Sequence, residues 1–483
     1  MSVKIYNTAT RTKEPFEPRE EGHVNFYCCG PTVYDYFHIG NARPLIMFDM
    51  FRRYLEYRGY KVNYIVNVTD IDDKIINRAN EQGTDYRTVA NTYADAFFDG
   101  MEKLGVHRAT VHPFATEHIG DMIDLVKILI EKGHAYEAGG DVYFDIASFP
   151  QYGKLSGRDI EEMQAGARVA IESDGKKKNP LDFALWKASK PGEPSWDSPW
   201  GPGRPGWHIE CSAMAMRYAG GSLDIHAGGQ DLIFPHHENE TAQSEAASGK
   251  QFVRYWMHNG FVRINDEKMS KSLGNFFTVR EILARYRPEE VRYFILTSQY
   301  RSPLNYDDEH LDNARAALTR FYTALRGLPE AQPAGAEDHE ARFHAAMQDD
   351  FNTPEALAVM FDLVREINRA KSSDSIAAAG LGASLRTMGN TLGILQQDPD
   401  AFFKGGPVTY SHEGSGGATL GGSAETSFES ASISDAYIDE LVEKRTQAKA
   451  DKNWGEADRI RDELQAAGIV LEDGPGGTTW RRA

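Results

Sequence analysis

The N-terminal part of the chain alternates between apolar runs and an amphipathic segment. Residues 24–30 form an apolar run that ends at a glycine, and residues 61–68 form a second apolar run. Between them, residues 42–58 place apolar side chains on one broad face at helical spacing, which predicts an amphipathic helix. A strand, a helix and a strand of these lengths predict a parallel sheet with a right-handed crossover.

The rest of the chain divides into segments with different hydrophobic patterns and compositions. Residues 85–132 have a mostly helical pattern, residues 134–146 predict a hairpin, and residues 232–247 predict a helix after a short core strand. From residue 307 to about 395 one helical pattern follows another. Residues 404–430 are rich in Gly, Ser, Ala and Thr, which is the composition of a flexible linker. The chain beyond that linker predicts two helices and a hairpin.

These patterns together predict an α/β fold. A Rossmann-like catalytic domain with a doubly wound parallel sheet is expected in residues 1–306, with an insertion, and an all-α helical bundle in residues 307–403. The linker at 404–430 then leads to a small C-terminal α/β unit at 431–483.

Composition narrows the class of protein. The 483 residues are 41% hydrophobic and contain no apolar run of membrane-spanning length and no apolar signal core near residue 1. Three cysteines, an odd number, fit a reducing compartment, so a cytoplasmic protein without a membrane partner is expected. The net charge of −18 argues against indiscriminate nucleic-acid binding, so any RNA contact must be confined to a few basic surfaces.

The segment 267–275 carries the strongest chemical signal. Lys268 and Lys271 flank the small hydroxyl residue Ser270 on a predicted flexible loop that ends at Gly274. Two ammonium groups on such a loop can stabilise the charge that gathers on phosphoryl oxygens and on departing pyrophosphate. The segment predicts ATP used for adenylate formation, with Lys271 on the pyrophosphate and Lys268 assisting. The alternative is a solvated basic loop.

A second nucleotide signal lies upstream, between the first predicted strand and the helix. His38 can donate to a phosphate oxygen, and Gly40 lets a flat base approach the backbone because it has no Cβ. The carboxyl end of a strand and the N-terminus of a helix are where open α/β sheets bind nucleotides. A histidine at a helix N-terminus also serves as a cap or a packing residue, so the alternative stays open.

Four scattered residues form a candidate metal set. His236 and Glu240 stand at i and i+4 of a predicted helix, and two thiols complete a tetrahedral zinc set with them. The four are Cys29, Cys211, His236 and Glu240. A buried structural thiol is the common alternative for a single cysteine. Cys28 competes with Cys29, because only one of two neighbours on a strand reaches the same centre. His237 competes with His236 in the same way.

The strings around these candidates match one family. They are CGPTVYD at 29–35, HIGN at 38–41, NVTDIDDK at 67–74, PGWHIECS at 205–212, FPHHENE at 234–240 and KMSKS at 268–272. The chain resembles the bacterial cysteinyl-tRNA synthetases, which are class I aminoacyl-tRNA synthetases, and the resemblance extends to EDGP at 472–475 and TTWRR at 478–482. Asn41 departs from the class motif, which has a second histidine there.

The resemblance implies an activity and its site. L-cysteine is activated with ATP, as its Mg²⁺ complex, and transferred to the 3′ end of tRNA(Cys), with Asn41 and Ser270 also at the ATP site. One Zn²⁺ is held by the four candidate ligands, which resolves both neighbour ambiguities. Because a plain pocket separates near-isosteres by only about 10–200-fold, a zinc that prefers sulfur explains rejection of serine without an editing domain. Thr69 is expected near the substrate amine and Trp207 in the wall of the amino-acid pocket.

The C-terminal unit is implied to bind the anticodon end of the tRNA. Trp454 and Trp480 are expected to stack unpaired bases, and Arg481 and Arg482 to hold phosphates. A monomer is expected. Two alternatives are a cysteine:amino-sugar ligase of the mycothiol pathway, which lacks a full tail of this kind, and a non-catalytic tRNA-binding paralogue. The acidic turn at 70–73 is interpreted as solvated or structural rather than as a metal cluster.

Overall fold

A computed structural model provides the structure of the chain. It describes residues 3–158, 176–264, 267–268, 277–405, 434–474 and 477–482, and for residues 267 and 268 it describes the backbone alone. The predicted linker at 404–430 therefore lies, from residue 406 onward, outside the described residues.

A four-stranded parallel sheet forms the centre of the N-terminal part. The chain opens with a hairpin of β1 (Lys4–Asn7) and β2 (Thr12–Pro15) and then enters the sheet. The sheet strands are β3 (His23–Cys28), β4 (Lys61–Val66), β9 (Leu223–Gly229) and β10 (Val253–Asn259), in the spatial order β10-β9-β3-β4. Helix α1 (Ile39–Tyr57) connects β3 to β4, so the predicted strand-helix-strand unit and the α/β class are confirmed.

Helices pack around this sheet. They are α2 (Asp73–Gln82), α3 (Tyr86–Lys103), α4 (Ile119–Glu131), α5 (Trp207–Ala219), α6 (Glu238–Ser248), α7 (Val279–Leu283) and α8 (Pro288–Leu296). The helix predicted from residue 232 begins later, at Glu238. Residues 230–237 form irregular turns in which Phe234 is extended (φ −141°, ψ 131°) and Pro235 has no amide proton to donate.

Two smaller sheets flank the first. An antiparallel sheet in the order β5-β6-β7-β8 contains β5 (Ala135–Ala138), β6 (Asp141–Phe144), β7 (Phe183–Ala188) and β8 (Gly203–Pro205), which confirms the predicted hairpin. A sheet in the order β12-β11-β13 contains β11 (Val262–Ile264), β12 (Glu267–Lys268) and β13 (Leu304–Tyr306). The second sheet leads into the lysine segment.

The remaining described part is helical and ends in a small α/β unit. The helices are α9 (Asp308–Leu325), α10 (Glu337–Gln348), α11 (Thr353–Lys371), α12 (Ser375–Leu392) and α13 (Pro399–Lys404). The last unit contains α14 (Asp435–Ala450), α15 (Trp454–Ala466), β14 (Ile469–Gly474) and β15 (Gly477–Arg482), so its two helices and hairpin are confirmed. The domain boundaries stay predictions. None of the described helices has the length and apolarity needed to cross a membrane.

Candidate active site

Two thiols, an imidazole and a carboxylate meet at the carboxyl end of β3. Cys29 follows that strand, Cys211 lies on α5, His236 lies in the turn before α6, and Glu240 lies in the first turn of α6. One ligand atom from each of the four lies within 4.8 Å of the others. The structure therefore brings together the four residues that the sequence proposed as a metal set.

The spacing of these atoms fits a tetrahedral ion. The two Sγ atoms are 4.0 Å apart, and Cys211 Sγ is 3.6 Å from His236 Nε2. Metal–sulfur bonds of about 2.3 Å and metal–nitrogen bonds of about 2.05 Å at tetrahedral angles require separations of roughly 3.8 and 3.6 Å. His236 Nε2 lies closer than that to Glu240 Oε1, at 2.9 Å, which is the distance of a direct hydrogen bond between them.

The charge of the set suits a cation. Burial by itself raises the pKa of Glu240, but the imidazoles of His226 and His236 outweigh it and bring that pKa down to about 2. A hydrogen bond from the Cys29 thiol, assisted by one from His236, lowers the pKa of Cys211 to about 6. Glu240 and Cys211 are therefore anionic donors at neutral pH. Burial by itself lowers the pKa of His236, but Glu240 and Cys211 outweigh it and raise that pKa to about 10, so a divalent cation bound here would take the place of the proton on that imidazole.

The structure favours one of the two neighbouring cysteines as a metal ligand, but it does not separate the two neighbouring histidines. Cys28 is fully buried, burial raises the pKa of its thiol to about 12, and it belongs to neither of the clusters able to hold a metal among the described residues. His237 is different, because its Nε2 lies 3.2 Å from Cys29 Sγ. A second possible set is therefore Cys29, His226, His237 and Glu240.

His226 is a site residue that the sequence reasoning missed. It lies on the core strand β9, and its Nε2 is 2.8 Å from Glu240 Oε2. Its ring stacks on Trp256 with centroids 4.6 Å apart. A histidine in a short core strand before a glycine pair was the available signal, but an isolated histidine there is equally typical of the core.

One cavity connects the metal set with the predicted nucleotide site. Its volume is about 370 Å³, and its lining includes Cys29, Trp207, His38, Gly40 and Asn41. Trp207 is 40% exposed and stacks on the His236 ring with centroids 4.3 Å apart. A single ligand in this cavity can therefore touch the metal set and the start of α1 together.

The start of α1 has the geometry of a capped helix. The His38 amide donates to Asn41 Oδ1 at 3.4 Å. This is one of the hydrogen bonds that cap the start of a helix, so His38 takes part in a cap. A Cβ on Gly40 would lie 2.8 Å from the His38 ring. Any larger residue at this position would therefore require the His38 ring to move, and the nucleotide contacts of His38, Gly40 and Asn41 stay predictions.

The lysine segment is described only at its start. Lys268 pairs through its backbone with Arg263 in the β11–β12 ladder, and Ser270 and Lys271 lie outside the described residues. Beyond the segment, the Ile39 amide donates to the Phe277 carbonyl at 3.3 Å. The chain just after the segment therefore lies at the start of α1.

Thr69 and the acidic turn have structural partners. Thr69 is 3% exposed, donates to Glu210 Oε2 at 2.8 Å and is not among the residues that line the cavity, so its contact with a substrate amine stays a prediction. Asp70 accepts from the Thr116 amide at 2.9 Å, and Asp72 caps α2. Asp73 pairs with Lys187 at 2.9 Å and with Arg204. The structural interpretation of this turn is confirmed.

The C-terminal aromatics differ in exposure. Trp454 is 60% exposed at the start of α15, whereas Trp480 is 3% exposed and belongs to the core of the unit. The prediction that Trp480 stacks on unpaired bases is wrong, because its ring is packed inside and its Nε1 donates to Asp439 at 2.6 Å. Arg481 and Arg482 pair with Glu472 and Asp435, so their phosphate contacts stay predictions.

Three family models match the chain. The model of the class I tRNA synthetase (C) catalytic domain matches residues 15–316, the DALR domain matches 342–396, and the cysteinyl-tRNA ligase anticodon binding domain matches 435–481. The first of these alone covers more than half of the chain.

Relatives and solved structures agree with these matches. The chain is 57% identical to the cysteine–tRNA ligase of Methylococcus capsulatus and 56% identical to that of Thioalkalivibrio sulfidiphilus, with 99% of this chain and 100% of each relative covered. Mycobacterium tuberculosis methionyl-tRNA synthetase in complex with methionyl-adenylate matches with a TM-score of 0.53 at 16% identity, covering 77% of this chain and 89% of that one. A ternary LeuRS-tRNA-LeuAMS complex of Agrobacterium radiobacter matches with a TM-score of 0.56 at 12% identity, covering 78% and 84%. Both likenesses concern the fold alone.

Proposed function

The chain belongs to the family of cysteine–tRNA ligases, class I aminoacyl-tRNA synthetases, and on that premise we propose that it activates L-cysteine with ATP and transfers the cysteinyl group to the 3′ end of tRNA(Cys). The observation that carries this proposal is the single cavity whose lining includes both Cys29 and the turn from His38 to Asn41. Cysteine-dependent ATP–pyrophosphate exchange tests the first step, and charging of tRNA(Cys) tests the second. Exchange without charging would contradict the second half of the proposal.

The proposed metal is zinc, held by Cys29, Cys211, His236 and Glu240. The thiol-to-thiol separation of 4.0 Å and the anionic character of Glu240 and Cys211 support this assignment. When bound, zinc supplies a soft Lewis acid that favours thiolate sulfur over hydroxyl oxygen, which is the difference between cysteine and serine. His237 is assigned to an outer position because the set that contains it, Cys29, His226, His237 and Glu240, offers one thiolate, whereas the set with Cys211 and His236 offers two to a soft cation.

The proposed work of the chain in the ATP step is binding and orientation. The start of α1 presents backbone amides and the His38 ring to the phosphates, with Gly40 and Asn41 beside the base and ribose. The β- and γ-phosphates of the Mg²⁺–ATP complex are bound from the side opposite the start of α1, by Lys268, Ser270 and Lys271. The cysteine carboxylate then attacks the α-phosphate in line, and the lysine ammonium groups stabilise the departing pyrophosphate.

Removing the carboxylate contact of His226 is expected to weaken metal binding. His226→Leu leaves Glu240 Oε2 without the imidazole that lies 2.8 Å from it, so the carboxylate is free to rotate. Loss of such an outer partner costs about 10–100-fold in metal affinity. Competition with a chromophoric chelator measures the loss, and His226→Gln, whose amide can still donate, is expected to recover most of the affinity. Equal affinities for wild type and His226→Leu would contradict this role.

Trp454 is expected to affect charging and not activation. Trp454→Ala removes an aromatic surface that is 60% exposed, and stacking of one base is worth about 1–3 kcal/mol. The kcat/KM for tRNA(Cys) should therefore fall by roughly 5- to 150-fold. Steady-state charging measures this fall, while cysteine-dependent pyrophosphate exchange should keep its wild-type rate.

The buried tryptophan of the same unit provides the contrast. Trp480→Ala opens a cavity in the small core and is expected to cost about 3–5 kcal/mol of that unit's stability. A loss of charging in Trp480→Ala should therefore accompany a loss of folded structure, whereas Trp454→Ala should remain folded. Unchanged charging by Trp454→Ala would rule out its proposed contact with the tRNA.

A further inference from the structure

Arg43 is a buried arginine that joins three separate segments of the chain. It lies on α1, shortly after His38, and its side chain is 0% exposed. Its Nη1 donates to the carbonyls of Gly260 at 2.7 Å and Phe261 at 3.0 Å. Its Nη2 donates to the carbonyls of Gln299 at 3.3 Å and Ser302 at 2.6 Å. One guanidinium therefore holds four backbone carbonyls from two different segments.

These carbonyls stand at the base of the sheet that leads into the lysine segment. Strand β11 begins directly after Phe261, and strand β13 begins soon after Ser302. The two strands pair in parallel, and β11 also pairs with β12, which contains Lys268. Arg43 thus connects the helix that begins at His38 to the starting points of both strands.

The two segments held by Arg43 also touch each other closely. The Gly260 amide donates to the Tyr300 carbonyl at 2.8 Å, and the Leu304 amide donates to the Phe261 carbonyl at 3.0 Å. A Cβ on Gly260 would lie only 2.5 Å from the Ser302 carbonyl oxygen. The backbone packing at this point leaves no room for a shift of one segment without the other.

The chain just beyond the lysine segment is bonded to the turn that precedes α1. The Val279 amide donates to the Phe37 carbonyl at 3.0 Å, and the Ile39 amide donates to the Phe277 carbonyl at 3.3 Å. Residues 277–279 therefore rest on the start of α1. Arg43 bonds the backbone directly before β11. The described chain on both sides of the lysine segment is therefore bonded to α1 or to the turn before it.

We infer that Arg43 is a positioning residue for the ATP step: it sets the distance between the start of α1 and the strand that carries Lys268. The inference rests on the proposed function, because the start of α1 and the strand that carries Lys268 are the two sides proposed to bind ATP. Gly260 and Phe261 line the cavity together with Gly40 and Asn41, so a displacement of that wall changes the space for a nucleotide. Misplacement of reacting groups by about 1 Å can cost about 10²-fold in rate.

The chemistry of the guanidinium suits this task. Its planar fork donates in fixed directions from two terminal nitrogens, whereas a lysine ammonium is a single point on a flexible stem. Burial lowers the pKa of Arg43 to about 10, so the group is still charged at neutral pH. A lysine at this position keeps the charge but cannot reach the Gly260–Phe261 pair and the Gln299–Ser302 pair together.

The test compares two buried arginines. Arg43→Lys is expected to lower the kcat of cysteine-dependent ATP–pyrophosphate exchange by about 10²-fold, with the KM for cysteine nearly unchanged. The matched control is Arg292→Lys, because Arg292 is 1% exposed, bonds Asp49 at 2.6 Å and the Leu392 carbonyl at 2.8 Å, and is not among the cavity-lining residues. Arg292→Lys should lower the melting temperature but keep kcat per folded molecule. An equal loss of kcat in both variants would overturn the inference.

Hydrogen exchange gives a readout that needs no substrate. In Arg43→Lys the amides of Gly260 and Leu304 should exchange faster than in the wild type, while amides in the β3–β4 ladder should keep their rates. Unchanged exchange at Gly260 and Leu304 would also overturn the inference. If the wild type lacks cysteine-dependent pyrophosphate exchange, the proposed function fails, whereas the hydrogen-exchange comparison still decides whether Arg43 holds these segments.

A second variant covers the case in which Arg43→Lys does not fold. Gly260→Ala leaves Arg43 in place but forces the Ser302 carbonyl away from the added Cβ. It should produce the same selective loss of kcat, because it separates the same two segments from the other side. A folded Gly260→Ala enzyme with a wild-type kcat would overturn the inference.

Discussion

Cys211→Ser is expected to lose tight metal binding and most of its cysteine activation. The substitution replaces a thiol, whose pKa the hydrogen bond from Cys29 lowers to about 6, with a hydroxyl that stays protonated and binds soft cations poorly. Loss of a direct ligand should exceed the ~10–100-fold cost of losing an outer partner. Metal analysis after dialysis against a chelator and cysteine-dependent pyrophosphate exchange measure the two effects.

Cys28→Ser is the matched control for that experiment. Cys28 is the same residue type, adjacent to Cys29 and fully buried, but burial raises its pKa to about 12 and its side chain belongs to neither cluster able to hold a metal in the described part of the chain. It should keep one metal per chain and normal exchange, with at most a modest loss of stability. A Cys211→Ser protein with full metal content and normal kinetics would contradict the proposed ligand set.

The discrimination against serine provides a further readout of the same variant. A pocket without a soft cation separates cysteine from serine by only about 10–200-fold, because the two differ by one atom. The ratio of kcat/KM for cysteine over serine should therefore fall into that range in Cys211→Ser and in metal-depleted wild type. Preservation of the wild-type ratio in both samples would refute a role for the metal in selecting the amino acid.

Local patterns were sufficient for much of the fold. The strand-helix-strand unit at β3, α1 and β4 follows from the spacing of apolar residues, and the hairpin of β5 and β6 follows from alternation around two glycines. The start of α6 was predicted too early, because periodicity at 232–247 hides the irregular turn around Phe234 and Pro235. That turn places His236 outside the regular helix while keeping it 2.9 Å from Glu240.

The parts of the site that depend on long-range packing were beyond sequence reasoning. His226 reaches Glu240 only because β9 packs beneath α6, and nothing in its own segment indicates that neighbour. Trp480, which lies near basic residues, was predicted to stack on unpaired bases, yet it fills the core between α14, α15 and the hairpin. A tryptophan in a unit this small is needed for its core, and residue type alone does not distinguish that use from base stacking.

Lys271→Ala is expected to slow formation of the adenylate by about 10²–10³-fold, which is the usual cost of removing one preorganised group that stabilises transition-state charge. Lys271 lies outside the described residues, but the chain just after its segment is bonded to the turn at the start of α1, through the Ile39–Phe277 and Val279–Phe37 backbone bonds. The proposal places the Lys271 ammonium on phosphates bound beside His38. The KM for ATP should change less than kcat, because the pyrophosphate charge grows mainly in the transition state.

Single-turnover formation of the adenylate measures this effect, and the comparison needs a lysine whose loss changes the net charge equally. Lys127→Ala serves, because Lys127 is 45% exposed on α4 and pairs only with nearby Asp124 among the partners that the structure describes. Lys268→Ala should be intermediate, since Lys268 is proposed to assist. Melting temperatures should agree among all three variants, because none of these lysines is proposed to hold the fold together. If Lys271→Ala forms the adenylate as fast as Lys127→Ala, the lysine segment does not stabilise the departing pyrophosphate, and the ATP step must rely on the start of α1 alone.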